Sequence, residues 1–156
     1  KRGEEREIKS NSGRQRLNIN GAIDIEAMSC ATVVDAAVNA DSTITLLRKL
    51  ESRHRKADTI YAICDNARYY RSRKVKEYLE DSRVVLIFLP PYSPNLNLIE
   101  RYWKYFKKIV LYNRYYEKFH DFASACEQFF RNIGRHKKKL RSLLTENFHI
   151  IGEPAH

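Results

Sequence analysis

Apolar and polar residues alternate from Leu17 to Ile25, with Leu17, Ile19, Gly21, Ile23 and Ile25 on one side and Asn18, Asn20, Asp24 and Glu26 on the other; only Ala22 is out of step. A period of two predicts a half-buried strand whose polar face meets solvent. A second short strand at Ala31–Val34 makes a hairpin with it. Asp41 and Ser42 mark a helix start, Ile44, Leu47 and Leu50 form its inward stripe, and it fades among Arg53, His54, Arg55 and Lys56, where cations suit its negative end. The run Thr59–Asp65 is apolar on both faces through Ile60, Tyr61, Ile63 and Cys64, as expected of a strand buried on both sides within a sheet. Ser72–Asp81 is a predicted helix with Val75, Tyr78 and Leu79 inward. Arg83–Leu89 is a second wholly apolar strand, ended by Pro90 and Pro91.

Strand, helix and strand with short joints form a βαβ unit, so these two strands are expected to be parallel neighbours with a right-handed crossover. A further helix runs from Leu98 to Leu111, with Ile99, Tyr102, Trp103, Phe106, Ile109 and Val110 at helical spacing. Another spans Lys118–Gly134, with Phe119, Phe122, Cys126, Phe129, Phe130 and Ile133 on one face. The basic cluster Arg135-His136-Lys137-Lys138-Lys139 follows, and then a short helix around Leu140, Leu143 and Leu144. No internal repeat or linker interrupts the pattern. The expectation is one mixed α/β domain over residues 1–156.

Charge adds the first functional direction. Lysine and arginine number 29 against 19 acidic residues, a net charge of +10. Such a surplus suits a polyanionic partner, because each neutralised phosphate releases condensed counterions. Hydrophobic residues make up 43% of the 156, which favours a folded domain over a disordered chain. Cys30, Cys64 and Cys126 are odd in number and widely spaced, without a CxxC pair; this argues against a disulfide framework or zinc site and for a reducing cytosol. No apolar run is long enough to span a membrane.

Two carboxylates stand where chemistry is expected. Asp65 ends a strand that should be central, and sites in parallel sheets collect at the carboxyl ends of strands. Glu100 comes in the first turns of the helix after the neighbouring strand. Two hard oxygen ligands at one sheet edge suit Mg²⁺, which binds through one or two carboxylates and substrate phosphates. Each residue also has a plainer reading, Asp65 as a turn residue before Asn66 and Glu100 as a helix N-terminal carboxylate. On a helical wheel Glu100 shares one side with Lys104 and Lys107, either to hold a DNA backbone beside a metal or as an i,i+4 salt bridge from Glu100 to Lys104. Lys108 lies close by on the same helix. Arg68, Arg71, Arg73 and Lys74 either grip phosphates or solvate a helix start, and Tyr69, Tyr70 and Tyr92 are the loop aromatics available for stacking on bases.

The run Ile63-Cys64-Asp65-Asn66-Ala67-Arg68, followed by Phe88-Leu89-Pro90-Pro91-Tyr92-Ser93-Pro94-Asn95-Leu96-Asn97-Leu98-Ile99-Glu100-Arg101 and Tyr102-Trp103-Lys104, closely resembles DDE-type transposases of the Tc/mariner superfamily, in the branch carried by bacterial insertion sequences. The 34 residues between Asp65 and Glu100 match that family's spacing of its second and third catalytic carboxylates, and Asn18-Ile19-Asn20-Gly21-Ala22-Ile23 is similar to its second strand. The resemblance implies an RNase H-like mixed sheet flanked by helices. It also implies two-metal chemistry with Mg²⁺ or Mn²⁺, and cleavage and strand transfer of double-stranded DNA into a TA target. It makes Asp65 and Glu100 the catalytic metal ligands, with Asn66, Tyr92 and Ser93 in support and Arg68, Arg71, Lys104, Lys107 and Lys108 on DNA. A homodimer of the full-length protein, in a cytoplasmic, nucleoid-associated setting, is implied as well.

This chain departs from the family in carrying Tyr69 and Tyr70 where a histidine is often found. The first aspartate of the family sits on a first, central strand, expected upstream of Lys1. By that pattern the domain is truncated at its amino end and inactive alone. Asp24 shares the polar, solvent-facing side of its strand and Asp35 ends the hairpin, so neither fits the missing ligand well. Three readings compete: part of an active transposase, a catalytically inactive DNA-binding remnant, and an RNase H-like nuclease unrelated to transposition, the last disfavoured by the PPYSP and IE residues.

Overall fold

The computed structural model describes residues 15–91 and 97–144. Strands β1 (Asn18–Asp24) and β2 (Ser29–Asp35) form the expected antiparallel hairpin, in register from Asn18 opposite Asp35 to Asp24 opposite Ser29. Its turn is built by the Asp24 carboxylate, which accepts the backbone N–H groups of Glu26 at 2.9 Å and Ala27 at 2.8 Å. Met28 closes the turn with φ of 49°, a left-handed backbone that costs a side-chain-bearing residue energy, and its side chain is buried in the core.

Helix α1 (Ala40–Arg53) starts earlier than the sequence pattern predicts, because Asn39 rather than Asp41 caps it. The Asn39 side chain accepts the Ser42 N–H at 3.0 Å and the Ser42 hydroxyl accepts the Asn39 N–H at 2.9 Å, a reciprocal capping box. Ile44, Leu47 and Leu50 point inward as expected, joined by Leu46. The far end of α1 is held by a residue distant in sequence. The Arg83 guanidinium donates to the carbonyls of Glu51 at 2.9 Å, His54 at 3.0 Å and Arg55 at 3.3 Å, placing a cation on the helix's negative end.

Strands β3 (Ile60–Cys64) and β4 (Val84–Phe88) are parallel neighbours joined through α2 (Arg73–Glu80), as the βαβ reading requires. One expectation for this unit is overturned. Both strands read as buried on two faces, yet Tyr61 is 69% exposed, Ile63 62%, Val85 45% and Ile87 44%. The helices that pack here, α1 and α2, lie against the opposite face, where Ile60, Ala62, Val84 and Leu86 join Leu46, Leu47 and Val75 in an aliphatic cluster.

A second, aromatic cluster forms on the other side of the hairpin. It is built by α3 (Leu98–Val110), α4 (Phe119–Arg131) and α5 (Lys137–Leu143) against Ile19, Ile23, Met28 and Cys30. Tyr102, Phe106 and Phe129 lie at its centre. The Trp103 indole rests on Gly21, where an added Cβ would come within 2.9 Å of the ring, so only glycine lets the helix approach this closely. The hairpin is therefore the middle layer between two cores. That explains a second correction: Asn20 does not face solvent but is buried beneath α1, its Nδ2 3.5 Å from the Thr43 hydroxyl. Helix α4 ends at Arg131, short of the predicted Gly134, and a 3-10 turn over Ile133–His136 leads directly into α5.

The mixed α/β class is thus observed. Cys30, Cys64 and Cys126 are all free and buried, and burial pushes each thiol up to about 11. Among the described residues no helix is long and apolar enough to cross a membrane.

Candidate active site

Asp65 is exposed immediately beyond the end of β3. Its Oδ1 accepts the Ala67 N–H at 3.0 Å, a local turn that fixes the carboxylate's direction. Asn66 ties this turn to the neighbouring strand: its Nδ2 donates to the Leu89 carbonyl at 2.7 Å, and its Oδ1 accepts from the Arg71 guanidinium. Arg71 in turn lies over the Phe88 ring at 4.1 Å. The Leu89 N–H donates to the Cys64 carbonyl at 2.9 Å, extending the parallel ladder past β4. Asp65, Asn66, Arg71 and the end of β4 are therefore one stapled unit at the carboxyl edge of this sheet.

A 3-10 turn over Arg68–Arg71 follows, with the Tyr69 and Tyr70 rings 4.7 Å apart and both half-buried. Burial raises both phenols above their ordinary range, and the charge of Asp65 adds to the effect. Of the four cations after Asp65, two are paired with carboxylates: Arg73 with Glu77 at 2.6 Å, and Lys74 with Asp41. Arg71 serves the staple. Arg68 is exposed and forms no ion pair among the described residues.

Glu100 is exposed in the first turn of α3, with its N–H donating to the Asn97 carbonyl at 3.1 Å. Lys104, Lys107 and Lys108 are exposed on the same side, opposite the buried Tyr102, Phe106 and Val110. Among the described residues no ion pair joins Glu100 to Lys104, so the salt-bridge reading is not realised. Tyr92 and Ser93 lie outside the described residues.

The two aspartates considered as substitutes are otherwise occupied. Asp24 builds the hairpin turn and lies 3.5 Å from His54; Asp35 accepts the Ala36 N–H at 2.6 Å. Among the described residues no group of three or more His, Cys, Asp or Glu side chains gathers as a metal cluster would.

A family model for the DDE superfamily endonucleases matches residues 1–123, a stretch that contains both Asp65 and Glu100. The chain belongs to the DDE superfamily endonucleases. The family resemblance read from the residues around Asp65 and Glu100 is thereby borne out. This DDE superfamily chain is also 28% identical over 104 residues to an insertion element IS630 39 kDa protein of Shigella sonnei, covering 66% of the chain and 30% of that relative. It is 33% identical over 64 residues to protein y4pE/y4sA of Sinorhizobium fredii, covering 41% of the chain and 45% of the relative. The chain thus spans less than half the length of these curated relatives.

Sequence reasoning named Asn66 in support without its partners, and missed the roles of Arg83 and Gly21. Each acts through a partner far along the chain, which no local pattern displays. Gly21 alone left a trace, as the one residue without a side chain on an otherwise apolar strand face.

Proposed function

We propose that this chain is part of the catalytic domain of an insertion-element transposase, a single RNase H-like domain in which Asp65 and Glu100 are the second and third metal-binding carboxylates. The observation that carries the reading is the exposure of both, one at the carboxyl end of a parallel strand and the other at the start of the helix after its neighbour, within the family-matched stretch. The donor set fits a hard divalent cation: each residue offers carboxylate oxygen, and one Asp65 oxygen is already used to orient the group. Mg²⁺ or Mn²⁺ bound there would activate water or a 3′-hydroxyl and stabilise the leaving oxygen.

The protein's own contribution is positioning. The Asn66–Arg71 staple orders the Asp65 turn in advance, so binding need not pay for it. Glu100 stands in the first turn of α3, at the positive end of its helix dipole. Lys104, Lys107 and Lys108 extend from the same side of α3 to grip phosphates of duplex DNA, and the exposed Arg68 beyond Asp65 can add a further contact.

Sheet geometry supports completion by another strand. The Cys30 and Thr32 carbonyls accept from Arg53 at 2.6 Å and Lys49 at 2.7 Å, so the outer edge of β2 is capped by α1. In an antiparallel pair the groups opposite these, on Ile23 and Gly21, then point to the outer edge of β1. In the parallel pair the Ile60 N–H and Cys64 carbonyl bond to the β4 side, so Tyr61 and Ile63 direct theirs to the outer edge of β3. A strand bearing the remaining carboxylate, laid between β1 and β3, would join both pairs into one sheet.

The test uses a polypeptide extending over the relatives' full length. Glu100→Gln should reduce Mg²⁺-dependent cleavage of transposon-end duplexes to background while leaving duplex affinity nearly unchanged. Retained cleavage would remove Glu100 from the chemistry. Absence of cleavage in the unaltered polypeptide, with binding intact, would favour the inactive DNA-binding remnant.

A further inference from the structure

We infer that residues 135–141 form a second duplex-DNA contact surface, beside the exposed face of α3. The inference rests on the DNA-acting reading above and extends it to a part of the fold that the matched family stretch, residues 1–123, does not include.

Arg135, Lys137, Lys138, Lys139 and Arg141 are all exposed, and none forms an ion pair among the described residues. No acidic residue occurs from Gln128 to Leu144, so nothing local offsets their mutual repulsion. Three of the lysines occupy the first turn of α5, the end of a helix where positive charge is unfavourable. An arrangement that local energetics opposes is accounted for by a polyanion that neutralises it.

The cluster is also rigidly placed. His136, at its centre, is half-buried, with Nδ1 2.9 Å from the Tyr105 hydroxyl and its ring 5.0 Å from that of Phe129. Leu140 is fully buried beneath the helix. The Arg101 guanidinium reaches the Leu143 carbonyl at 3.5 Å. Arg101 and Tyr105 therefore line the flank of α3 that meets α5. On a helical wheel that flank adjoins Lys108 and Lys104. Residues 135–141 thus lie beside the flank of α3 that adjoins Lys104 and Lys108. Residues 135–141 carry five cations with no acid among them and no aromatic ring besides the half-buried His136, which suits a duplex backbone rather than splayed single strands.

The experiment measures binding of the chain to a labelled duplex of arbitrary sequence across a salt series. Lys137→Gln, Lys138→Gln and Lys139→Gln together should lower the slope of log affinity against log salt by about 2–3, since each phosphate contact contributes ~0.9. An unchanged slope in a variant that melts like the parent overturns the inference. Should that variant melt early, Arg135→Gln with Arg141→Gln supplies the same comparison, with a slope decrease of about 2 expected. Tighter binding to single-stranded RNA or phosphatidylserine vesicles than to duplex also overturns it. Lys104→Gln with Lys107→Gln separates the two surfaces. If this pair leaves the slope unchanged while the α5 variant lowers it, the α5 surface stands and the role given to α3 falls. Cleavage by the full-length polypeptide reports on Asp65 and Glu100 independently of either.

Discussion

The two carboxylates proposed for catalysis are presented by halves of the molecule that are held together differently. Glu100 rides on a helix fixed by rings: Tyr102, Phe106 and Phe129 pack at the centre of a core in which the Phe106 and Phe130 rings stack 5.0 Å apart. Asp65 emerges from a half whose core is aliphatic and thinner, covered on one face only, with hydrogen bonds completing the job. There the Glu51 carboxylate accepts from the Tyr78 hydroxyl, from the Ser82 hydroxyl at 2.9 Å and from the Arg83 N–H at 2.9 Å, tying α1 to the start of β4. Burial on one side and a polar network on the other respond to different insults, so the halves should fail under different conditions.

The largest effect should come from the aromatic side. Phe106→Ala removes a central ring and should cost about 3–5 kcal/mol in chemical denaturation; a loss below about 1 kcal/mol would mean that the ring cluster does not anchor α3. Gly21→Ala should follow at about 1–3 kcal/mol, because the new methyl group meets the Trp103 indole. Combining it with Trp103→Leu should recover part of that loss. Additive losses would show that strand and helix are not coupled there.

The aliphatic side should instead be sensitive to acid. Burial pushes the Glu51 carboxyl up, but the Tyr78, Arg83 and Ser82 hydrogen bonds and the Arg83 charge outweigh it and hold the group below its ordinary value of 4.5. A carboxyl depressed in the folded state contributes stability that is present above pH 4.5 and is lost as pH falls through the folded-state value. Melting followed below pH 4.5 should therefore decline less steeply in Glu51→Gln than in the parent. Equal acid profiles would remove Glu51 from the account. The smallest change is expected from Tyr102→Phe. The Tyr102 hydroxyl is buried and, among the described residues, bonds to no nitrogen or oxygen and meets the weakly bonding Cys30 thiol. Its deletion should leave stability within about 1 kcal/mol of the parent or raise it, and a larger loss would reveal a partner for that group.

Legibility in the sequence followed the same division. The aromatic half could be read almost residue by residue, because Tyr102, Phe106, Phe129 and their neighbours recur at helical spacing. The β3 and β4 strands were legible as strands and as parallel partners, but not in their burial. An apolar side chain such as Ile63 reports that it disfavours water, not whether a neighbour covers it. Asn20 misled in the opposite direction: on an alternating strand it reads as solvent-facing, while Thr43 of α1 meets it in the interior. Asp65 and Glu100 stand out as candidates because spacing and flanking residues are linear features. Asn66 reaching across to Leu89, and Arg83 to the end of α1, are not linear features, and only the folded chain displays them.

The three cysteines turn this division into something a simple reagent can follow. Cys30 and Cys126 belong to the aromatic core, whereas Cys64 closes the strand leading to Asp65. All three are shielded and protonated at neutral pH, so a thiol-directed dye can react only when its own region opens. Mapping which sulfur is modified first, and under which solvent, converts the chain into its own recorder of where it comes apart.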